Sequence, residues 1–398
     1  MDAAELALWL RLTLTPGVGN DTARRLLASF GLPEAIFKQS GAALRQVVSE
    51  KQAQALGREP EGLAQLLLAT CQWCESSESE DAPESARAIL TLADPRYPAA
   101  LLAIEDPPLV LYLQGAARVL GRHGSDAPLA LEPGIAVVGS RNPTPQGATN
   151  ARQFAGALAA HGLTIVSGLA LGVDGAAHEG ALDCGTSDAR RPVTIAVVGT
   201  GLDRVYPRRH HALARRIAKD GLLISEYPIG TPPLAANFPR RNRIIAALSQ
   251  GTLVVEAALQ SGSLITARLA VEQGKDVFAI PGSIHSPQSR GCHALIRQGA
   301  KLVESAQDVL EELKIAPVPL DVPTGAIGAA EQPLSPGAEV GPDDPLLEAL
   351  GFDPVSLDAL QARTGLDTGR LQAMLMALEL DGQLARLPGG LFQRIAQA

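Results

Sequence analysis

The chain has 398 residues, which indicates two or three domains, and 46% of the residues are apolar, enough for packed cores. Its formal net charge of −8 excludes a protein that coats nucleic acid through bulk positive charge. Because no apolar run is as long as a membrane span, the first residues are not cationic and only four cysteines occur, we expect a cytoplasmic protein without membrane segments.

The charge is unevenly distributed along the chain. Residues 134–311 hold 18 Lys or Arg and 13 Asp or Glu, a net charge of +5, whereas the remaining residues have a net charge of −13. Residues 75–85 are acidic and serine-rich, and residues 315–345 hold seven prolines and no Lys or Arg. We therefore predict a helical domain over 1–75, a central domain over 86–314, a proline-rich linker over 315–345 and a C-terminal domain over 346–398.

The N-terminal domain contains Pro16-Gly17-Val18-Gly19 between two apolar stripes with helical spacing. The glycines allow a tight turn, and the pattern is typical of a helix-hairpin-helix unit. Such a unit can bind a phosphate through the N–H groups of a helix N-terminus. A simple packing turn fits the same residues, and only Arg24 and Arg25 lie nearby. Both interpretations are consistent with the sequence.

The central domain alternates short apolar strands with helix-length segments, and this predicts an α/β fold with a doubly wound parallel sheet. Gly139, Gly168 and Gly199 follow successive predicted strands, and Gly262 follows a later one. All four belong to the carboxyl edge of the sheet, where ligands bind. Glycines there let backbone N–H groups approach an anion, although tight turns alone would also require them. The strands are predicted over 135–138, 164–166, 193–198, 222–224, 252–255 and 276–280.

A basic element lies between the fourth and fifth predicted strands. Phe238 stands beside Arg240, Arg241, Asn242 and Arg243 at the start of a predicted helix. Arginines donate to phosphates and an aromatic ring can stack on a base, a combination that binds single-stranded nucleic acid. The alternative is that Phe238 closes the core while the arginines are solvated. The chain lacks the glycine spacings of a dinucleotide-binding loop and of a P-loop.

Candidate catalytic residues form weak patterns. Asp174 and His178 could act as an acid–base pair, but a helix cap and a buried histidine fit the same spacing. Glu226 and Glu256 follow two predicted strands, where a glycosidic hydrolase would place its carboxylates. No group of cysteines or histidines has metal-ligand spacing, so we predict no catalytic residue, no metal and no cofactor.

The C-terminal domain is predicted to be a winged helix. Ser356 precedes a first helix, Leu371, Leu375 and Leu378 face inward on a second helix, and 384–394 form a hairpin. A helix that reads duplex DNA carries basic side chains. Because residues 346–398 hold 4 basic and 6 acidic side chains, a protein contact is favoured over duplex reading, and a transcription factor is disfavoured.

Four motifs of the central domain together resemble the DNA-processing protein A (DprA/Smf) family. The resemblance is dense over 90–311, and it implies an extended Rossmann-like fold that binds single-stranded DNA. One departure is Gly291-Cys-His293, where many members have Gly-x-Asn, and it affects only that loop. The motifs are Ala136-Val-Val-Gly-Ser-Arg141, Ser167-Gly-Leu-Ala-Leu-Gly-Val-Asp174, Phe238-Pro-Arg-Arg-Asn-Arg-Ile-Ile245, and the run from Glu256 through Ser261-Gly-Ser263 to Pro281-Gly282.

The resemblance also implies a role without catalysis, in which the protein protects incoming DNA during natural transformation and helps to load the RecA recombinase. It implies a homodimer with RecA as a partner, and a single-strand-binding protein is a further candidate partner. Carried over residue by residue, the DNA-binding pocket of the family corresponds to Gly139, Ser140, Arg141, Ser167, Gly168, Phe238, Arg240, Arg241, Asn242, Arg243, Ser261, Gly262 and Ser263.

An enzyme of the related nucleotide-binding class is the alternative function. It would split a base from a nucleoside phosphate, with Glu256 as the carboxylate. Such an enzyme is expected to have a Pro-Gly-Gly-x-Gly-Thr loop before this glutamate. The chain has Ser249-Gln-Gly251-Thr252 instead, which weakens the enzymatic interpretation.

Overall fold

The computed structural model describes residues 2–76, 85–121, 129–185, 191–315, 345–352 and 354–395. Most of the predicted linker and most of the acidic segment 75–85 therefore lie outside the described residues. Among the helices in the described ranges, none is long and apolar enough to cross a membrane.

The N-terminal part of the chain is helical. The predicted turn separates α1 from α2, and Gly17 within it has a φ of +78°, a conformation that favours glycine. The amide of Gln52 donates a 2.7 Å hydrogen bond to the carbonyl of Gly17 and so ties the turn to α5. The helices are α1 (Ala3–Leu14), α2 (Asn20–Phe30), α3 (Pro33–Phe37), α4 (Gly41–Leu44), α5 (Glu50–Leu56) and α6 (Leu63–Glu75).

Within the described ranges, nine strands form the central sheet in the order β1-β2-β6-β5-β4-β3-β7-β8-β9. Neighbours from β6 to β9 are parallel, whereas β2 pairs antiparallel with both β1 and β6. The chain runs outward from β3 to β6 on one side and from β7 to β9 on the other, so the direction of winding reverses between β3 and β7. The strands are β1 (Ser85–Thr91), β2 (Val110–Ala116), β3 (Gly134–Val138), β4 (Thr164–Ser167), β5 (Thr194–Val197), β6 (Leu222–Ser225), β7 (Gly251–Val254), β8 (Asp276–Ala279) and β9 (Lys301–Leu302).

Helices cover both faces of this sheet. On one face, α9 and α10 pack on β3 and β4 through apolar residues such as Leu158 and Ala177. On the other face, α12 and α13 pack through residues such as Ile244 and Ala267. The predicted α/β, doubly wound fold class is confirmed. The helices are α7 (Ala99–Leu102), α8 (Ala117–Leu120), α9 (Pro145–Ala160), α10 (Val173–Cys184), α11 (His211–Asp220), α12 (Asn237–Ala247), α13 (Ser263–Glu272), α14 (Arg290–Arg297) and α15 (Ala306–Glu312).

The six predicted strands are present as β3 to β8, but β1, β2 and β9 are absent from the prediction. Strand β2 is almost entirely buried, and its apolar run Val110–Leu113 could have been used to predict this strand from the sequence. Strands β1 and β2 form an antiparallel extension of the sheet beyond β6. The N-terminal helices pack against this extension, since Trp73 of α6 lies edge-on to Tyr112 of β2 with ring centroids 6.2 Å apart.

The C-terminal part forms the predicted winged helix. Ser356 accepts a hydrogen bond from the amide of Ala359 and so caps α17, while Asp367 caps α18 in the same way. Leu360, Leu371 and Phe392 form its core. Three strands pair in the order β10-β12-β11. The elements are α16 (Pro345–Leu350), β10 (Val355–Ser356), α17 (Leu357–Thr364), α18 (Thr368–Leu380), β11 (Leu384–Leu387) and β12 (Leu391–Arg394).

Candidate nucleic-acid interface

A cleft of about 540 Å³ opens at the carboxyl edge of the central sheet. The loop after β3, the loop between β7 and α13, and the start of α12 line it. This is the point at which the winding of the sheet reverses, so the loops after β3 and β7 diverge and leave a crevice. Nine of the thirteen predicted site residues line it: Gly139, Ser140, Arg141, Phe238, Arg241, Asn242, Ser261, Gly262 and Ser263.

Arg141 and Phe238 form the exposed wall of the cleft. The guanidinium carbon of Arg141 lies 5.9 Å from the centre of the Phe238 ring, within the range of a cation–π contact. Arg141 is exposed and makes no ion pair with any residue that the structure describes. Its positive charge is therefore available to an anion that enters the cleft.

Tyr206 extends this aromatic surface and was missed from the sequence. Its ring centre lies 5.4 Å from that of Phe238, and 48% of the residue is exposed. Arg208 and Arg209 follow it, both exposed and both without an ion pair to another described residue. The only indication in the sequence that this segment could contribute to the site was the Arg-rich start of the helix near residue 208. Tyr206 also lines a second cleft of about 410 Å³, together with Arg204 and Arg215.

Arg241 lies beneath the cleft and is buried. Its guanidinium donates hydrogen bonds to the carbonyls of Gly168 and Val197. Burial lowers the pKa of Arg241 to about 10, and the nearby Asp174 opposes this shift. Burial likewise raises the pKa of Asp174, while Arg241 opposes it. Arg241 thus forms part of the floor of the cleft and holds two strand ends together.

Ser167 and Gly168 do not line the cleft, because their polar groups are used inside the protein. The hydroxyl of Ser167 is buried and donates a 2.6 Å hydrogen bond to the carbonyl of Val137. The N–H of Gly168 donates to the carboxylate of Asp174 at 3.2 Å. A Cβ at Gly168 would lie 2.1 Å from Arg241, so this glycine is required by packing. The structure therefore contradicts the expectation that the N–H of Gly168 binds an anion in the cleft.

Packing leaves no room for a side chain at Gly139, whereas it leaves room for one at Gly262. A Cβ at Gly139 would lie 2.7 Å from the side chain of Val173, and the next amide, that of Ser140, donates to the carbonyl of Glu256 at 2.7 Å. A Cβ at Gly262 would have no heavy atom within 4 Å. Only Gly262 thus leaves open space at the cleft, next to the first residue of α13.

Arg243 points away from the cleft, and Arg240 lies outside it. The side chain of Arg243 donates to both carboxylate oxygens of Glu226 at 2.6 Å and lies 3.2 Å from the carboxylate of Asp106. Asp106 also accepts a 2.9 Å hydrogen bond from Arg24 of α2. Arg240 is exposed on α12. The prediction that all three arginines face one pocket is therefore not met: Arg241 forms the floor and Arg243 an internal ion pair.

The basic residues near the N-terminal turn are also paired with carboxylates. Arg24 binds Asp106, and the guanidinium of Arg25 lies 3.3 Å from the carboxylate of Asp21. Arg24 therefore joins α2 to the central part of the chain. This arrangement favours the packing interpretation of the turn over a contact with DNA.

The candidate catalytic residues are engaged in structural contacts. The ring of His178 is fully buried and its Nδ1 lies 2.7 Å from the hydroxyl of Thr194, while the carboxylate of Asp174 binds backbone amides. Burial lowers the pKa of His178 to about 3, so the ring is neutral. Glu256 accepts from the amide and hydroxyl of Thr144 at 2.9 and 2.6 Å and so anchors the start of α9. Among the described residues, no group of three His, Cys, Asp or Glu has the geometry of a metal site.

Two family models match the sequence. Residues 88–314 match DNA recombination-mediator protein A, and residues 329–390 match the DprA winged helix domain. Protein Smf of Escherichia coli K12 is 43% identical over 297 residues, which are 74% of this chain and 74% of that protein. The DNA processing protein DprA of Streptococcus pneumoniae R6 is 47% identical over 224 residues, which are 56% of this chain and 73% of that protein.

A solved structure shares the fold. The X-ray structure of DNA processing protein A from Streptococcus pneumoniae aligns with a TM-score of 0.57 and 35% sequence identity. The alignment covers 78% of this chain and 98% of that chain. The similarity thus extends over almost the entire solved chain.

Proposed function

This chain belongs to the DNA recombination-mediator protein A family, the family that its motifs resembled, and on that premise we propose that it binds single-stranded DNA in the cleft at Arg141 and Phe238. The observation that carries the proposal is the position of an exposed arginine, which forms no ion pair with the part of the chain that the structure describes, beside a half-buried aromatic ring at the carboxyl edge of the sheet. An arginine can meet a phosphate and a ring can stack on a base whatever its sequence.

The residues of the cleft divide into two roles. Arg141 and the hydroxyls of Ser261 and Ser263 contact the sugar–phosphate backbone, Gly262 lets it approach the start of α13, and Phe238 and Tyr206 stack on bases. Helix N-termini carry partial positive charge, which favours phosphate at this position. The remaining predicted residues hold this surface in shape. They are Gly139, Ser140, Ser167, Gly168, Arg241, Asn242 and Arg243, while Arg240 adds positive charge at its edge.

A preference for single strands follows from the same geometry. Bases of a duplex are stacked on each other, so they are not free to stack on Phe238 and Tyr206. The overall charge of −8 adds no general attraction to duplex DNA. We therefore expect tight and salt-sensitive binding of single strands and weak binding of duplexes.

The test is a binding titration of the full chain with a labelled oligonucleotide, single-stranded or annealed to its complement, at two salt concentrations. We expect a much lower Kd for the single strand and a Kd that rises with salt, since binding releases counterions from phosphates. Equal affinity for both forms, or an affinity that salt does not change, would contradict the proposal.

In the cell, we propose that the protein acts in DNA processing during natural transformation, where it protects incoming single strands and helps to load RecA. Family membership supports this role, and a homodimer and a single-strand-binding protein are the further partners proposed with it. Because recombination takes place on DNA inside the cell, we place the protein in the cytoplasm. The test is the rate at which RecA assembles on a strand coated with single-strand-binding protein, which should rise when this protein is added.

We further propose that the protein is not an enzyme. Glu256, the carboxylate of the enzymatic alternative, binds Thr144, and a Cβ at Gly147 would meet its carboxylate at 2.4 Å. This carboxylate is therefore part of the packing at the start of α9. Incubation with nucleoside monophosphates should release no free base, and release that depends on Glu256 would overturn this point.

A further inference from the structure

A second cleft of about 410 Å³, which Tyr206 helps to line, lies where the N-terminal helices meet the central sheet. Helix α6, strand β1, the loop after β5 and helix α11 contribute to it. Small-ligand sites have volumes of about 300–1,000 Å³ and largely apolar linings with few polar groups. The second cleft has both properties, since its buried lining residues are apolar: Trp73, Leu169, Val198, Leu202, Ala214, Ala218 and Leu223.

The charged residues that line the second cleft give it an excess of positive charge. Among the described lining residues are three arginines and one carboxylate, that of Asp203. The guanidinium of Arg204 lies 2.7 Å from this carboxylate and pairs with it. Arg87 and Arg215 form no ion pair within the part of the chain that the structure describes. Their charges are therefore available to an anion.

Helix α6 holds Arg87 in place. The guanidinium carbon of Arg87 lies 5.1 Å from the centre of the Trp73 ring, within cation–π range. Its Nη1 donates a 2.6 Å hydrogen bond to the carbonyl of Trp73 and another hydrogen bond to the hydroxyl of Ser76. Because both hydrogen bonds use Nη1, the N–H groups of Nε and Nη2 are left for a phosphate.

An aromatic pair joins the second cleft to the first cleft, which is the cleft at Arg141 and Phe238. Tyr206 lines the second cleft, and its ring centre lies 5.4 Å from that of Phe238, which lines the first. A strand that stacks on Phe238 therefore reaches the edge of the second cleft at Tyr206.

The ends of β4 and β5 also lie between the two clefts. Arg241, in the floor of the first cleft, donates to the carbonyls of Gly168 and Val197. The residues that follow these two, Leu169 and Val198, line the second cleft. The two clefts are thus separated by the width of these strand ends.

We propose that the second cleft binds a further nucleotide of the same single strand, with its base in the apolar cleft and its phosphate at Arg215 and Arg87. This site rests on the proposed function, because the strand enters it from the first cleft across Tyr206. A base that is paired in a duplex is not free to enter it. The site also gives the N-terminal domain a part in DNA binding, through α6 rather than through the turn at Gly17.

The experiment measures the Kd of the full chain for oligothymidylates of increasing length, from a dinucleotide upwards, by isothermal titration calorimetry. Two variants alter the second cleft, Arg215→Glu on α11 and Ser76→Glu directly after α6, and both residues are exposed, so the fold should tolerate the changes. Arg216→Glu is the matched control. It makes the same change of charge one residue further along α11, but Arg216 binds Asp183 at 2.7 Å and does not line the cleft.

In the wild type and the control, affinity should rise again by about tenfold or more once the strand is long enough to reach the second cleft. Arg215→Glu and Ser76→Glu should lose this second rise and bind the shortest strands as the wild type does. At physiological salt, exposed charges more than about 8 Å apart are largely screened, so the substitutions act locally. Arg141→Ala should weaken the binding of every length.

A length dependence that is unchanged in both cleft variants would overturn the second site and leave the proposed function intact. Binding that is lost at every length in Arg215→Glu but retained in Arg141→Ala would support the second site and contradict the proposed role of the first cleft. A wild type that binds no strand of any length would overturn both.

Discussion

Arg243 donates hydrogen bonds of 2.6 Å to both carboxylate oxygens of Glu226, which makes this arginine part of the protein interior rather than of the cleft. Arg243 is 13% exposed and Glu226 9% at the side chain, and Asp106 adds a second carboxylate at 3.2 Å. Arg141 has no such partner among the described residues. The two arginines therefore differ in role, and variants of each should fail in different ways.

The first prediction concerns the Arg243–Glu226 pair. Arg243→Met should lower the free energy of unfolding by roughly 3 kcal/mol, because it leaves a largely buried carboxylate unpaired. The double variant with Glu226→Gln should recover most of that loss, since no isolated charge remains. Thermal unfolding of the wild type, both single variants and the double variant measures this. If Arg243→Met keeps its stability yet loses affinity for single strands, Arg243 contacts phosphate instead.

The second prediction concerns Arg141. Arg141→Ala should leave stability unchanged, weaken the binding of single strands, and reduce the slope of log K against log salt by about one, as expected for one lost phosphate contact. Fluorescence anisotropy at several salt concentrations measures both quantities. Arg58→Ala is the matched control, because Arg58 is exposed in the N-terminal part. An unchanged slope in Arg141→Ala would place the phosphate elsewhere.

The third prediction concerns the aromatic pair Phe238 and Tyr206. Phe238→Ala should weaken single-strand binding by about tenfold or more, since a stacked base contributes about 1–3 kcal/mol. Phe238→Tyr retains a ring and should bind nearly as well as wild type. The salt slope should stay the same in both variants, because stacking releases no counterion. A changed slope with an unchanged affinity at low salt would argue against stacking.

The fourth prediction compares two glycines. In Gly168→Ala the new methyl group would lie 2.1 Å from the buried guanidinium of Arg241, so we expect a loss of about 1–3 kcal/mol in unfolding free energy. In Gly262→Ala the methyl group meets no atom within 4 Å, so stability should change by less than about 0.5 kcal/mol. Gly262→Ala should nevertheless weaken DNA binding if the strand passes over this residue. Melting temperatures and binding titrations of both variants separate the two effects.

The fifth prediction is a pH dependence that arises from His178. Burial lowers its pKa to about 3 from an ordinary value of 6.5, and electrostatic interactions with His210 and Arg241 lower it further. Below pH 6.5 the unfolded chain binds a proton that the folded protein does not, so stability falls as the pH falls towards 3. At pH 5 this group should cost about 2 kcal/mol relative to pH 7.

The matched variant is His178→Gln, which keeps a hydrogen-bonding side chain next to Thr194 but does not titrate. Its melting temperature should fall less between pH 7 and pH 5 than that of the wild type. Calorimetry of both proteins at the two pH values makes the comparison. Parallel decreases in the two proteins would show that His178 is not the titrating group.

Much of the fold could be predicted because it depends on local patterns. Apolar runs between glycines predicted β3 to β8, and the caps at Ser356 and before α9 follow from side chains three residues away from the amides they bind. The antiparallel extension β1–β2 lay outside this pattern. It has no glycine loop at its end, and its place in the sheet depends on pairing with β6 across more than 100 residues.

The site could be predicted as a location but not as a set of contacts. The glycine-bearing strand ends had to share one edge, because parallel strands point the same way. Which glycine faces a ligand was not decided by this rule: Gly168 packs against Arg241, while Gly262 faces open space. Tyr206 was missed because its only link to Phe238 is a contact between residues 32 positions apart.

The net charge of −8 illustrates the same difference between what the sequence and the structure reveal. Composition and hydrophobic spacing are local properties, so the order of residues is enough to show that the positive charge is concentrated in residues 134–311 and that this part forms a parallel α/β sheet. Which arginines keep a free charge depends on how the chain folds. Arg243 is neutralised by Asp106, 137 residues away, and by Glu226, whereas Arg141 lies beside Phe238 and has no ion-pair partner among the described residues. Such pairings depend on distances in space, which the order of residues does not contain.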